Sequence, residues 1–392
     1  MTATATTVFT TTSAQLLRAL KATKIAAPHR PAVPCLAGLL IDTTGGKTTL
    51  TQYSYDVLVR VDLDTTQATD NTRMLIHHNK LLTILNGLRS TTTAKKADNI
   101  PVSLIIDDRG NPSLSFGGYT MPLESMPVDD YPNLPTTPET VARFEAADYI
   151  SALTRVAPSA GTDDTLAAIT GAHLRITEDG AAVLEATDRY RAAQAPLTPT
   201  GLAVPGSYNL SAKKLTSLVK HVAHDGHLAV LADDDEYGMG GIQVDGITLI
   251  TGRIQDFPSL DGFADPEIVG AITVDAKDLA KNIKVAHKLS ATESKHPAVD
   301  LWAHSDGVEV AARVNTAAGV RATAPVCDGQ VDGEPHAHRL AKASFLSDGV
   351  RAVGTDQVTI HYMPGRMIIL TEPNHTPTGE FRYLLMCIRT GE

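Results

Sequence analysis

The densest group of potential metal ligands in the chain is Asp233-Asp-Asp-Glu236. Clustered carboxylates suit a hard divalent cation, but an acidic hairpin loop is the plainer reading. His77-His78 has no Cys or carboxylate at metal spacing beside it, so a place at a helix start fits better than a zinc site. Asp188, Arg189 and Arg191 lie close in sequence and offer the polar groups of an active site at a domain junction. That enzyme reading is the alternative to the one developed below. No Gly-x-x-x-x-Gly-Lys-Ser/Thr phosphate loop is present, so the chain is not expected to be an ATP-driven loader. No Ser-His-Asp or Cys-His arrangement can be argued from spacing. Neither a cofactor nor a metal is expected, and the chemistry left is electrostatic.

Lys and Arg concentrate on six short segments. Windows 13–25, 78–90, 145–157, 211–224, 275–288 and 341–352 carry +3, +2, −1, +3, +2 and +1, while the whole chain carries −10. Positive charge is thus segregated onto these segments and the rest is strongly acidic. Lys and Arg are good helix formers and collect on helices anyway, yet five of the six windows share the bias.

The same windows open alike, with a polar or capping residue followed shortly by a large apolar one. They are Ser13-Ala-Gln-Leu-Leu17, His78-Asn-Lys-Leu-Leu82, Glu145-Ala-Ala-Asp-Tyr149, Ser211-Ala-Lys-Lys-Leu215, Asp275-Ala-Lys-Asp-Leu279 and Ala341-Lys-Ala-Ser-Phe345. Their starts are 65, 67, 66, 64 and 66 residues apart. A fixed period marks a repeated supersecondary unit. Leu16, Leu17, Leu20 and Ile25, or Leu215, Leu218, Val219 and Val222, recur at helical spacing, so each window reads as an amphipathic helix.

Between the helices, apolar and polar residues alternate around turn residues. Leu39-Leu-Ile-Asp-Thr-Thr-Gly-Gly-Lys-Thr-Thr-Leu-Thr51, His173-Leu-Arg-Ile-Thr-Glu-Asp-Gly-Ala-Ala-Val-Leu184 and Val299-Asp-Leu-Trp-Ala-His-Ser-Asp-Gly-Val-Glu-Val310 predict hairpins. They follow the first, third and fifth helices, so the full repeat spans about 130 residues and occurs three times. Asp130-Tyr-Pro-Asn-Leu134 and Asp256-Phe-Pro-Ser-Leu260 stand 126 residues apart and read as connectors. Domain boundaries near 136 and 265 follow, giving 1–136, 137–265 and 266–392. Each domain is expected to be α+β, with two helices on one face of antiparallel sheet.

The bulk numbers agree. A chain of 392 residues has room for three cores, and 43% hydrophobic with 20% charged residues describes a soluble globular protein. Cys35, Cys327 and Cys387 are odd in number and scattered, which argues against disulfides and for a reduced, cytoplasmic setting. Residues 1–12 are Thr-rich and unlike a secretory signal. No apolar run of about 18 residues is present to span a membrane.

If the sheets form a continuous outer wall, the helices line the inside. Six helices spaced about 10 Å apart leave a hole only about 9 Å wide. Duplex DNA, roughly 20 Å across, does not pass. Twelve helices leave about 28 Å, so a head-to-tail dimer of three-domain chains is the right size.

At this point the residues resemble a known family, the bacterial DNA polymerase III beta subunit or sliding clamp, over the full length. His29-Arg-Pro-Ala-Val-Pro-Cys-Leu-Ala-Gly-Leu-Leu-Ile41 resembles the family's segment after its first helix. Asp130-Tyr-Pro-Asn-Leu134 resembles its first connector, Ala186-Thr-Asp-Arg-Tyr-Arg-Ala192 its Ala-Thr-Asp segment, and Tyr383-Leu-Leu-Met-Cys-Ile-Arg389 its closing motif. The resemblance implies three clamp domains per chain in a six-domain homodimeric ring. Such a ring encircles double-stranded DNA without reading sequence and holds a polymerase for processive synthesis, with no reaction of its own. A trimer of two-domain chains is disfavoured by the three domains.

What the resemblance implies residue by residue comes in two sets. DNA contacts fall to Lys21, Lys24, Arg30, Lys213, Lys214, Lys220, Lys281, Lys284, Lys342 and Arg351, touching phosphates rather than bases. A cleft for short partner peptides with Leu and Phe anchors would use Ile169, Thr187, Arg189, Tyr190, Arg191 and Ala192. Pro258, Gly262, Phe263, Met363 and Pro364 join it, with Leu384, Leu385, Met386, Cys387, Ile388 and Arg389 from the C-terminal segment. Aliphatic and Met surface is plastic and suits several ligands. Implied partners are the polymerase, a clamp loader and other proteins carrying such peptides, in the cytoplasm at the replisome. The dimer interface would involve segments 119–121 and 287–289.

The chain departs from the family at several of these positions. Cys387 stands where Pro is usual, Ala192 where Leu is common, and Asp261-Gly262 where an Arg-rich turn is usual; Gly391-Glu392 extends past the usual end. Ala for Leu widens the cleft by an amount worth roughly 2 kcal/mol of ligand contact. A divergent copy with altered partner choice, or one that escapes an inhibitor of the cleft, is the expectation these departures raise.

Overall fold

In this computed structural model, which describes residues 6–235, 238–314, 322–333 and 338–389, helices begin where strands end. Strand Thr6–Thr12 runs into helix α1 (Ser13–Thr23), and Arg73–His77 runs into α2 (His78–Arg89). A five-residue helix α3 (Ala94–Asp98), which no sequence period announces, follows. Glu139–Glu145 then leads into α4 (Ala146–Val156) and Gly206–Ser211 into α5 (Ala212–Leu218). Gly270–Asp275 leads into α6 (Ala276–Ser290) and His338–Lys342 into α7 (Ala343–Val353). Two helices start at the expected residue, Ser13 and His78. The other four start one or two residues later, because the preceding strand ends on a polar residue of the segment: Glu145, Ser211, Asp275 and Lys342. Asp275 shows why: its side chain caps α6 by accepting from the Lys277 and Asp278 amides, both at 2.9 Å.

The helices bury one face each. In α1 the buried residues are Ser13, Leu16, Ala19, Leu20, Ala22 and Thr23; in α6 they are Ala276, Leu279, Ile283, Ala286 and Ser290. Lys21, Lys281 and Lys284 project from the opposite faces. Gly354 ends α7 at φ 75°, a left-handed cap that glycine adopts without a Cβ penalty.

All three expected hairpins form: Gly38–Asp42 with Thr48–Tyr53, Gly171–Ile176 with Ala182–Thr187, and Ala298–His304 with Gly307–Ala312. The strands build an antiparallel five-stranded sheet, a nine-stranded sheet and a twelve-stranded one. The architecture is α+β, as the sequence pattern implies.

The residues fall into two compact units. One draws on the chain up to Ala147, on Thr200–Leu202 and on Lys214–Arg253; the other on Asp148–Pro199, Ala203–Lys213 and the chain from Ile254 onward. The first holds the five- and nine-stranded sheets, the second the twelve-stranded sheet. Residues 137–265 are shared between them, because Glu139–Glu145 and the strands from His227 to Gly252 extend one sheet while Gly171–Ser211 strands extend another. Strand Ile247–Gly252 pairs with Val57–Leu63, and Arg191–Leu197 pairs with Arg382–Met386.

Candidate peptide-binding cavity and basic surface

The cavity grows from one hairpin tip. Strands Ala182–Thr187 and Arg191–Leu197 are joined by Asp188-Arg189-Tyr190, with Arg189 at φ 76°. Asp188 builds this tip: Oδ1 accepts from the Tyr190 and Arg191 amides at 3.0 Å, and Oδ2 accepts from Arg191 Nε at 2.9 Å. The Thr187 hydroxyl donates to the Arg191 carbonyl at 2.7 Å. Strand Arg382–Met386 then pairs with the return strand, Leu384 opposite Ala192, and the Met386 amide donates to the Tyr190 carbonyl at 2.9 Å.

Segment 258–263 closes the third side. The resulting cavity, about 190 Å³, is lined by Thr187, Arg189, Tyr190, Arg191, Ala192, Pro258, Ser259, Leu260, Phe263, Met367, Leu384 and Met386. Its floor is a buried cluster of Ala192, Leu260, Met367, Ile369 and Leu384, against which Met363 and Phe263 pack. Tyr190 stands 60% exposed at the mouth.

Nine of the residues expected from the family resemblance meet here; Ser259, Leu260 and Met367 join them without having been anticipated. Met367 opens strand Met367–Thr371, and its place in the lining depends on the neighbour strand's register. Met363 packs against the floor from outside the lining, and the other expected residues sit elsewhere. Leu385 and Cys387 are buried on the opposite side of the strand from Leu384 and Met386, as the two-residue period demands. Ile388 and Arg389 are exposed, Ile388 bridging to Leu340. Ile169 is buried where its carbonyl accepts from the Gly161 amide, and Gly262 and Pro364 are exposed turn residues outside the lining.

Two arginines set the electrostatics. Burial works against the Arg191 charge, but Tyr383, Asp348 and Asp188 outweigh it and hold the guanidinium more firmly protonated than usual. Its Cζ lies over the Phe345 ring, 4.0 Å from the ring centre. The Cys387 thiol is pushed up to about 12 by burial, with Arg339 and Arg366 pulling the other way. It is an unreactive core thiol.

The basic residues sit where helices and turns present them. Lys21, Lys24, Arg30, Lys213, Lys220, Lys281, Lys284 and Arg351 are exposed; Lys214 and Lys342 are half-buried. Lys214 Nζ lies 3.0 Å from the Thr251 hydroxyl, Lys342 Nζ 4.0 Å over the Phe345 ring, and Arg351 3.2 Å from Asp348. Lys21 and Lys220, almost two hundred residues apart, line one open depression with Arg18 and His221. Arg18, not singled out from sequence, donates to the His221 carbonyl at 2.6 Å and pairs with Asp245. Burial first, then Lys21, Lys220 and Arg18, lower the His221 pKa, which reports how closely these charges gather.

Among the described residues no group of three or more His, Cys, Asp or Glu is placed to hold a metal ion, and Glu236 of the acidic run lies outside them. Gly391 and Glu392 also lie outside the described residues. No helix among them is long and apolar enough to cross a membrane.

Residues 7–135 match the family model described as DNA polymerase III beta subunit, N-terminal domain. The chain is 26% identical over 369 residues to the beta sliding clamp homolog GriR of Streptomyces muensis, covering 92% of this chain and 93% of that protein. It is 32% identical over 164 residues to the beta sliding clamp of Streptomyces coelicolor, 42% of this chain and 40% of that one. Among solved structures, the beta subunit from the DNA polymerase of Streptococcus pyogenes superposes with a TM-score of 0.83 at 19% identity, covering 97% of this chain and all of that one. The sliding clamp of Pseudomonas aeruginosa bound to griselimycin superposes at 0.82 with 16% identity, over 98% and 100%. Residues 7–135 thus match the DNA polymerase III beta subunit family, and over nearly its whole length the chain has the fold of the beta sliding clamps.

Proposed function

We propose that two copies of this chain close head to tail into a ring that encircles duplex DNA and holds a polymerase on its template. The clamp family is non-catalytic in general, and the hairpin tip agrees with that role here. The Asp188 carboxylate is occupied by two backbone amides and Arg191, so it shapes a wall instead of serving as a base. The observation that carries the proposal is the apolar cavity of about 190 Å³, assembled from the hairpin tip, segment 258–263 and the C-terminal strand. A short peptide with Leu and Phe anchors, borne by the polymerase, the clamp loader or another replication protein, fits this chemistry.

Lys21, Lys24, Arg30, Lys213, Lys214, Lys220, Lys281, Lys284, Lys342 and Arg351 are proposed to meet phosphates loosely, as sliding requires. Three clamp domains, 1–136, 137–265 and 266–392, are the proposed repeat. The exposed edge strand Tyr119–Pro122 and the exposed Val285 and Leu289 of α6 offer dimer contacts. The test is retention on DNA. A clamp stays on circular DNA and leaves linear DNA by its ends, and its solution mass is near twice 41.6 kDa. Equal loss from both DNAs, or a monomer at working concentration, overturns the reading.

A divergent cavity is the second element. Ala192 is buried in the floor where the family commonly has Leu. We propose that this shifts ligand choice, and griselimycin, seen on the Pseudomonas aeruginosa clamp, is a suitable probe beside a polymerase-tail peptide. The test compares both ligands on the native chain and Ala192→Leu. Unchanged binding of both removes the idea.

A further inference from the structure

Beside the cavity floor, on the same face of the sheet as Ala192 and Leu384, runs a line of buried polar side chains that the peptide role leaves unused. His173, Glu185, Gln194 and Arg382 stand directly opposite one another on four neighbouring strands. His173 Nδ1 is 2.9 Å from Glu185 Oε1, Gln194 Nε2 donates to Glu185 Oε2 at 2.6 Å, and Arg382 Nε donates to Gln194 Oε1 at 2.8 Å. All four side chains are buried. Polar groups in a sheet interior are unfavourable unless every one is partnered, and aliphatic residues would fill the same space without that demand.

The two ends of this line show what it holds. At one end the His173 ring stacks on Phe257, centroids 4.3 Å apart and planes 21° from parallel. At the other, Arg382 Nη1 donates to the Phe263 carbonyl at 2.6 Å and to the Pro377 carbonyl at 2.8 Å. Phe257 and Phe263 bracket Pro258, Ser259 and Leu260, the wall of the cavity that no strand supports. An irregular segment has few fixed backbone bonds, so its position must come from such anchors.

We propose that His173 and Arg382 are positioning residues that hold segment 257–263 in its binding geometry, so that an arriving peptide need not order that wall. Pre-organisation of this kind raises affinity by cutting the entropic cost of association. The inference rests on the cavity being a peptide site, as argued above.

The experiment uses the full chain and a fluorescent peptide with Leu and Phe anchors. Phe257→Leu removes the stacking, Arg382→Met removes the carbonyl grip, and Arg382→Lys keeps a charge able to reach one carbonyl. Expected results are about tenfold weaker binding for the first two, with a less favourable binding entropy by calorimetry, and partial recovery in Arg382→Lys. Retention on circular DNA stays at the native level, which a general loss of structure would not allow. Native affinity and entropy in folded Phe257→Leu and Arg382→Met overturn the proposal; if Arg382→Met does not fold, Phe257→Leu decides alone. A peptide that fails to bind the native chain, or whose binding ignores Met386→Glu, removes the cavity reading and this inference together. Binding abolished by Met386→Glu but untouched by Phe257→Leu removes this inference only.

Discussion

Arg191 Nη1 meets Asp348 Oδ2 at 2.7 Å, tying the cavity's hairpin strand to helix α7. The pair is largely buried, with side-chain exposures of 10% and 25%. Removing Asp348 leaves the largely buried Arg191 charge with Asp188 as its remaining carboxylate partner. Asp348→Ala is expected to destabilise the chain by about 1–3 kcal/mol and to weaken peptide binding. Arg191→Lys should also weaken it, because an ammonium cannot contact Asp188 Oδ2 and Asp348 Oδ2 with one rigid fork. Denaturant unfolding and peptide titration check both.

Two buried histidines make stability depend on acidity. His78 lies 3.0 Å from the Thr23 hydroxyl and His361 2.9 Å from the Thr371 hydroxyl, and burial lowers each from 6.5 to about 4. A depressed histidine favours the folded state fully above the unfolded value of 6.5. That contribution is lost as pH falls from 6.5 towards 4, by about 3 kcal/mol per histidine at most. Melting midpoints measured across this window should fall with acid, and His361→Gln should flatten the curve. An equally steep curve in that variant would contradict the assignment.

Ala192→Leu should tighten the Leu and Phe peptide, by an amount approaching 2 kcal/mol of restored apolar contact. Calorimetric titration reads it directly. Weaker binding would mean that the cavity is already matched to its native ligand and is overfilled by the larger side chain.

Lys21→Ala combined with Lys220→Ala should weaken duplex binding equally for unrelated sequences. The slope of log affinity against log salt should drop by roughly 0.9 for each phosphate contact removed. Dimer mass and peptide affinity should not change. An unaltered slope places the depression shared by Lys21 and Lys220 away from DNA.

Cys387→Pro should harm the fold before it alters the cavity. The Cys387 amide donates to the Arg366 carbonyl at 3.0 Å, and proline has no N–H to give. A loss of about 1 kcal/mol is expected. The native thiol should resist alkylation at mildly basic pH, where an exposed cysteine reacts within minutes; rapid labelling of the folded chain would show that it is not buried.

Much of the fold was legible because its signals are local. The six strand-to-helix junctions recur every 64–67 residues in the sequence, and caps such as Asp275 place them within two residues. The three hairpins follow from alternation and turn residues. Helix α3 was missed because five residues carry no period. Leu385 and Cys387 were grouped with Leu384 and Met386 through a shared motif, although alternate strand residues face opposite sides. Ser259, Leu260 and Met367 were missed because cavity lining depends on which strands become neighbours.

The sequence by itself determined the spacing of the strand-to-helix junctions, the amphipathic helices and the segregation of positive charge. Each rests on neighbours along the chain or on patterns preserved within a segment. Only the tertiary structure decided that Ala192 pairs with Leu384 and that Lys21 and Lys220 line one depression. It also decided that four polar residues form one line from Phe257 to Phe263. These contacts join residues tens to hundreds of positions apart, and strand order and register set them, which no local pattern encodes.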